Sequence, residues 1–214
     1  MLPSLTDVVA LLGINLVICG GCLRLLNLGR SQSAPPKSWT KWVAAVCFFG
    51  LWVPVGAAAL PALAYIRGVS ADLSVTLVAL ACLGLFRQLL AMPRLAVRER
   101  AAVSFAVAIA AVFLYPLALG WGNWDAYRPG WGSSGMLLAL LALSVACWIR
   151  GLRLLPTLIA LSLLAWTAGL LESGNLWDYL LDPWLAAGAA FYCANAAVRK
   201  FSKCLVSIKF VRRG

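Results

Sequence analysis

Residues 172–183, ESGNLWDYLLDP, place three carboxylates (Glu172, Asp178, Asp182), two aromatic rings and an Asn within twelve positions of an otherwise apolar region. Such a set can do two kinds of chemistry. Aromatic faces stack on sugar rings or headgroups while carboxylate and amide groups fix orientation by hydrogen bonding. Paired carboxyls can also act as general acid and base in glycosyl chemistry, provided one has a raised pKa. Two further stretches carry similar groups, RGVSADLS at 67–74 and GWGNWDAYRPGWG at 120–132. The candidate binding residues are Arg67, Asp72, Asn123, Trp124, Asp125, Tyr127, Arg128, Glu172, Asn175, Trp177, Asp178 and Tyr179. If the three stretches pack together, Arg67 with Asp72, Asp125 with Arg128 and Glu172 with Asp178 converge on one pocket. NWDAY (123–127) and NLWDY (175–179) share Asn, Trp, Asp and Tyr, so their flanking segments are candidates for two copies of one hairpin. The plainer reading is interfacial anchoring. Trp and Tyr favour the headgroup level, Asp and Asn cap helices, and Asp182 before Pro183 has the form of an N-cap followed by a first-position Pro.

The elements that must hold these residues are apolar. The chain has 214 residues, 63% hydrophobic and 12% charged, with a mean hydropathy of +0.91. A soluble domain usually has about a quarter of its residues charged, and that polar shell is missing here. Apolar runs of about the length that crosses a ~30 Å hydrocarbon core recur along the chain. They do not alternate as barrel strands do. The fold class expected is all-α, a polytopic transmembrane helical bundle. Seven spans are expected, near 8–27, 43–65, 73–92, 101–120, 135–149, 154–171 and 184–198. The fifth and seventh are short, and six spans result if one of them is re-entrant. One helical domain over 1–198 and a basic tail over 199–214 is the expected organisation. The opening residues lack the basic start of a cleaved signal peptide, so the first run is expected to be a retained span.

Charge sets the sides. Arg24, Arg30, Lys37 and Lys41 flank the first connection, Arg87, Arg94, Arg98 and Arg100 the third, and Arg150 and Arg153 the fifth. The tail adds six basic residues and no acid. Seven spans put all of these on one face, which the positive-inside rule assigns to the cytoplasm, with the N-terminus outside. Asp7, Asp72, Asp125, Glu172, Asp178 and Asp182 then map outside with Arg67 and Arg128, and Glu99 alone among the acids maps inside. The net charge of +11 is therefore a mark of topology, not of nucleic-acid binding.

Other motifs read as packing. CGGC at 19–22 lies within an apolar run, has no second CxxC and no His to complete a metal set, and suits close helix contact, as does AAGAA at 186–190. Asn15 and Asn195, the most polar mid-span residues, suit interhelical hydrogen bonds. Pro54, Pro61, Pro116 and Pro156 are expected to kink their helices. The seven cysteines avoid the outer loops, which suits reduced thiols. In the tail, Phe201, Cys204, Leu205, Ile208 and Val211 form an apolar stripe if helical, suited to an anionic inner leaflet.

The complete absence of His excludes seven-span zinc hydrolases of the ceramidase type and rhomboid proteases. Span count and sidedness are similar to those of bacterial acyl-phosphate glycerol-phosphate acyltransferases. Their Gly-rich cytoplasmic motifs are absent, so the likeness covers topology alone and carries no residue across. No metal and no cofactor is expected. The expected role is a non-catalytic accessory subunit in a bacterial-type inner membrane. Its partners would be membrane lipids, a lipid-linked glycan or another protein. An outer-face transferase or hydrolase and a small lipid or solute transporter are the alternatives.

Overall fold

The computed structural model describes residues 4–27, 38–90 and 92–211, with side chains for all of these except residues 38 and 203–211. Expectations on Arg30, Lys37, Cys204, Leu205, Ile208 and Val211 lie outside what is described. Among the described residues the fold is all-α, with one two-residue strand pair. The helices are α1 (Leu5–Leu26), α2 (Ser38–Gly50), α3 (Ala62–Ser70), α4 (Val75–Leu89), α5 (Val97–Ala118), α6 (Ser134–Ile149), α7 (Leu154–Thr167), α8 (Leu176–Leu180) and α9 (Pro183–Val211). Two of them, α1 and α5, are long and apolar enough to cross a membrane, and α4, α6 and α7 are shorter apolar helices.

Helix starts at one end of the bundle follow from short polar side chains in the sequence. Ser4, Ser74, Ser133 and Asn175 each accept a backbone N–H of the first turn of α1, α4, α6 and α8. Asp182 does the same for α9, accepting from Leu185 N at 2.8 Å with Pro183 as the first helical residue. At the other end, Glu99 in the first turn of α5 caps a different helix. Its two oxygens accept from Arg153 N and Leu154 N, at 2.8 and 3.1 Å, at the start of α7. A carboxylate suits the positive end of a helix dipole, which explains an isolated acid among arginines.

The core lies between α5, α7 and α9, where Val103, Val107, Ala111 and Leu114 meet Leu158, Ile159, Leu185 and Ala189. On the other side α1 lies against α4 and packs Ile14 on Leu63 and Leu73. Gly20 of CGGC faces the backbone of Ala81 on α4, where a β-carbon would stand 3.4 Å from the carbonyl oxygen. Cys19 turns inward and donates to Asn15 Oδ1 at 3.3 Å. The six cysteines whose side chains are described are free thiols.

The second apolar stretch is not one helix. α2 stops at Gly50, a short hairpin pairs β1 (Pro54–Val55) with β2 (Leu60–Pro61), and α3 resumes at Ala62. Pro54 and Pro61 lack the N–H a continuous helix needs, and Gly56 and Ala59 sit at φ +71° and +48°. The prolines expected to kink a helix therefore end it. The cut end is closed from inside the bundle: the fully buried Asn15 donates Nδ2 to Phe48 O at 2.9 Å, and Leu63 N reaches Leu51 O at 3.4 Å. Pro156 instead sits in the first turn of α7, where the ring costs nothing, and Pro116 lies near the end of α5.

Candidate functional site

ESGNLWDYLLDP is the keystone of one end of the molecule. It binds Arg67, Asp72 and Ser74 around the α3–α4 connection and the 120–132 loop. At its start, Glu172 Oε1 accepts from Arg67 Nη2 at 2.6 Å. Arg67 also donates Nη1 to Asp7 at 2.5 Å and Nε to Asp72 at 3.0 Å. One guanidinium thus ties the first turn of α1, the α3–α4 connection and the α7–α8 connection together, using the planar fork that Lys lacks. Three carboxylates around one cation leave local negative charge, and Glu172 stays 63% exposed.

In its middle the stretch grips 120–132. Asn175 Nδ2 donates to Tyr127 O at 3.0 Å, Trp177 Nε1 to Ala126 O at 3.1 Å, and the Tyr127 hydroxyl to Asp178 Oδ1 at 2.5 Å. Ser173 Oγ donates to the other Asp178 oxygen. Burial of Tyr127, followed by its bond to Asp178, pushes its phenol well above the usual tyrosine range. Gly130 sits where any side chain would collide, since a β-carbon there would lie 1.9 Å from Asn175 Oδ1. Tyr179, completely buried, donates to Ser173 O at 3.0 Å and accepts from Leu171 N at 3.2 Å. At the end, buried Asp182 accepts from Ser74 N and Oγ at 3.0 and 2.5 Å besides capping α9.

NWDAY and NLWDY hold each other but do not share a local structure. Asp125 Oδ1 accepts from Tyr127 N and Arg128 N in a turn that leads to a single 3-10 turn, Arg128–Trp131. Asn175 and Asp178 belong instead to α8. The Asp125–Arg128 contact is through the Arg backbone, and Glu172 and Asp178 face separate partners rather than each other. The sequence reading did not include Asp7, Ser74, Gly130, Ser173 and Asp182 among the site residues. For Asp7 and Asp182 a signal was present, because they share the acidic end with the other carboxylates. For Ser74 and Gly130 no local pattern marks them, since their partners Asp182 and Asn175 lie far away in sequence, whereas Ser173 bonds locally to Asn175 and Asp178.

Beside this keystone is a shallow, open cavity of about 580 Å³. It is lined by Leu117, Ala118, Gly120, Gly122, Asn123, Trp124, Asp125 and Tyr127. Trp124 is exposed and leans on Phe113 at a ring separation of 5.4 Å. Polar edges (Asn123, Asp125), an aromatic face and an apolar floor are thus presented together. Among the described residues no group of His, Cys, Asp or Glu is arranged to hold a metal ion.

No family model, curated protein or solved structure matches this chain.

Proposed function

We propose that the chain is a multi-pass membrane protein of a bacterial-type inner membrane. Its acidic, Trp-rich outer face would bind the headgroup of a lipid or lipid-linked glycan as a non-catalytic accessory subunit to another protein. The observation that carries the site is the keystone itself. Residues 172–183 fix the 120–132 loop through three side-chain bonds, with Asn123, Trp124 and Asp125 lining the cavity. A preorganised aromatic and carboxylate surface suits polyhydroxyl or ammonium-bearing groups.

The membrane reading draws support from side chains facing away from the bundle. Val112 is 74% and Phe191 72% exposed, and Trp42, Phe49, Phe105, Ile109, Leu141 and Trp148 are exposed as well. So many large apolar side chains turned outward are costly in water and ordinary in lipid. Seven crossings are reached if α2 and α3 together form one interrupted crossing and α8 lies at the outer surface. The alternation of ends agrees: Asp7, Arg67, Tyr127 and Glu172 gather at one, while Asn27 with Gln88 and Glu99 with Arg153 join at the other.

The geometry favours binding over acid–base catalysis. Both oxygens of Asp178 are occupied by hydroxyls and Glu172 is held by Arg67, so neither carboxyl of the expected pair is free for proton transfer with the other. Transport has one observation in its favour, the interrupted second crossing. Against it, both polar atoms of the Asn15 amide are committed, to Phe48 O and to the Cys19 thiol. The test is retention of native lipids. Protein purified in mild detergent is expected to carry a defined headgroup class by mass spectrometry, and Trp124→Ala with Asp125→Asn to lose it. Equal retention by the variant, in a well-folded sample, would remove the site.

A further inference from the structure

The hairpin between α2 and α3 leaves backbone groups open at a depth where lipid tolerates none. It joins the bundle at Leu51 and Leu63, next to the bond from Asn15, midway along α1, to Phe48 O. Its turn lies beside Tyr65 on α3, whose hydroxyl donates to Val55 O at 3.2 Å. Arg67, which reaches the first turn of α1, stands beyond that level. In the multi-pass reading, on which this inference rests, the turn therefore lies within the hydrocarbon. Ala59 N donates to Gly56 O at 3.2 Å and closes the turn. The N–H groups of Ala57 and Ala58 have no acceptor among the described residues, and residues 53–60 are all exposed.

An unsatisfied backbone group in lipid costs several kcal/mol, and non-helical backbone at that depth persists only where protein buries it or water lines it. Water is a poor cover here. From Trp42 to Ile66 no side chain is charged or carries an amide, and Tyr65 has the one hydroxyl. Phe49, Val53, Val55 and Leu60 are exposed around the turn. Protein is the cover these surroundings suit. A regular transmembrane helix has no free carbonyl in its interior, so it can accept from Ala57 and Ala58 only through a side chain. A second copy of the hairpin can accept directly, because the Ala57 and Ala58 carbonyls are also without a donor among the described residues. The same charge asymmetry inserts both copies in one direction and so brings the two turns to one depth. The turn is Gly-Ala-Ala-Ala, with no bulk to hold two backbones apart.

We propose that the hairpin at 53–60 is the surface on which a second copy of this chain docks within the membrane. A two-fold axis along the membrane normal relates the copies, and each gives its Ala57 and Ala58 N–H groups to backbone carbonyls of the other turn. The pairing does not depend on the outer cavity.

The test uses the full chain, first in carbonate-washed membranes and then in phosphatidylcholine vesicles at falling protein-to-lipid ratio. The washed membranes are expected to keep the chain. Its release would overturn the multi-pass reading and the dimer with it, whereas a retained chain that stays monomeric would overturn the dimer alone. On a cysteine-free background, Ala58→Cys oxidised with copper phenanthroline is expected to give a disulfide-linked species of twice the chain mass that persists on dilution with lipid. Val112→Cys, exposed on α5, is expected to give none. Ala57→Pro removes one donor from each copy at a turn position that proline favours, so its helical circular dichroism is expected to be kept. By energy transfer between labelled chains, its dissociation constant is expected to rise roughly tenfold. An unchanged constant would overturn the proposal. So would cross-linking of Ala58→Cys only to a protein of another mass, which would assign the hairpin to a different partner.

Discussion

Three residues carry the argument at the acidic end. Asp182 is buried and serves two elements at once, so Asp182→Ala strands the Ser74 donors and removes the α9 cap. A loss of about 1–3 kcal/mol is expected from the unfolding midpoint. Gly130→Ala is expected to destabilise by a comparable amount, about 1–3 kcal/mol, because Asn175 must move to admit a methyl group. Ser at that position should be no better than Ala if the close approach is the cause. Tyr127 has a raised phenol pKa in the fold, so its stabilising contribution is complete below the ordinary tyrosine value, about 10, and is lost as pH rises beyond it. Tyr127→Phe is therefore expected to flatten the alkaline limb of the stability profile above pH ~10, which thermal scans across pH would read directly.

Among elements, the interruption of the second apolar stretch is the feature the sequence concealed. Residues 43–65 are uniformly apolar, and hydropathy cannot distinguish a continuous helix from two pieces with a hairpin between them. Pro54 and Pro61 mark the place in the sequence, but that they end the helix rather than kink it shows only in the hairpin and in the partners Asn15 to Phe48 and Leu63 to Leu51. Asn15→Leu is expected to cost about 1–3 kcal/mol by orphaning the Phe48 carbonyl, whereas Asn195→Leu, at an exposed position on α9, should change stability little. Comparing the two variants by thermal unfolding in detergent checks this. The helices themselves were legible because apolar runs and Ser, Asn and Asp caps are local signals. The candidate site was legible in part: its residues stood out by composition. Their pairing did not, since Glu172 to Arg67 and Asp178 to Tyr127 are set by packing across more than fifty positions.

At the scale of the whole molecule, charge divides the two ends. One end gathers carboxylates around a single Arg and opens a Trp-lined cavity; the other holds arginines that make no ion pair among the described residues. In a membrane this asymmetry sets orientation, and every functional reading here depends on it. The most direct test is labelling of single cysteines on a cysteine-free background with a membrane-impermeant maleimide. Cysteine replacing Asn123 is expected to label in intact cells, and cysteine replacing Arg98 only after the membrane is permeabilised. The reverse pattern, or labelling of both positions from the same side, would contradict the account.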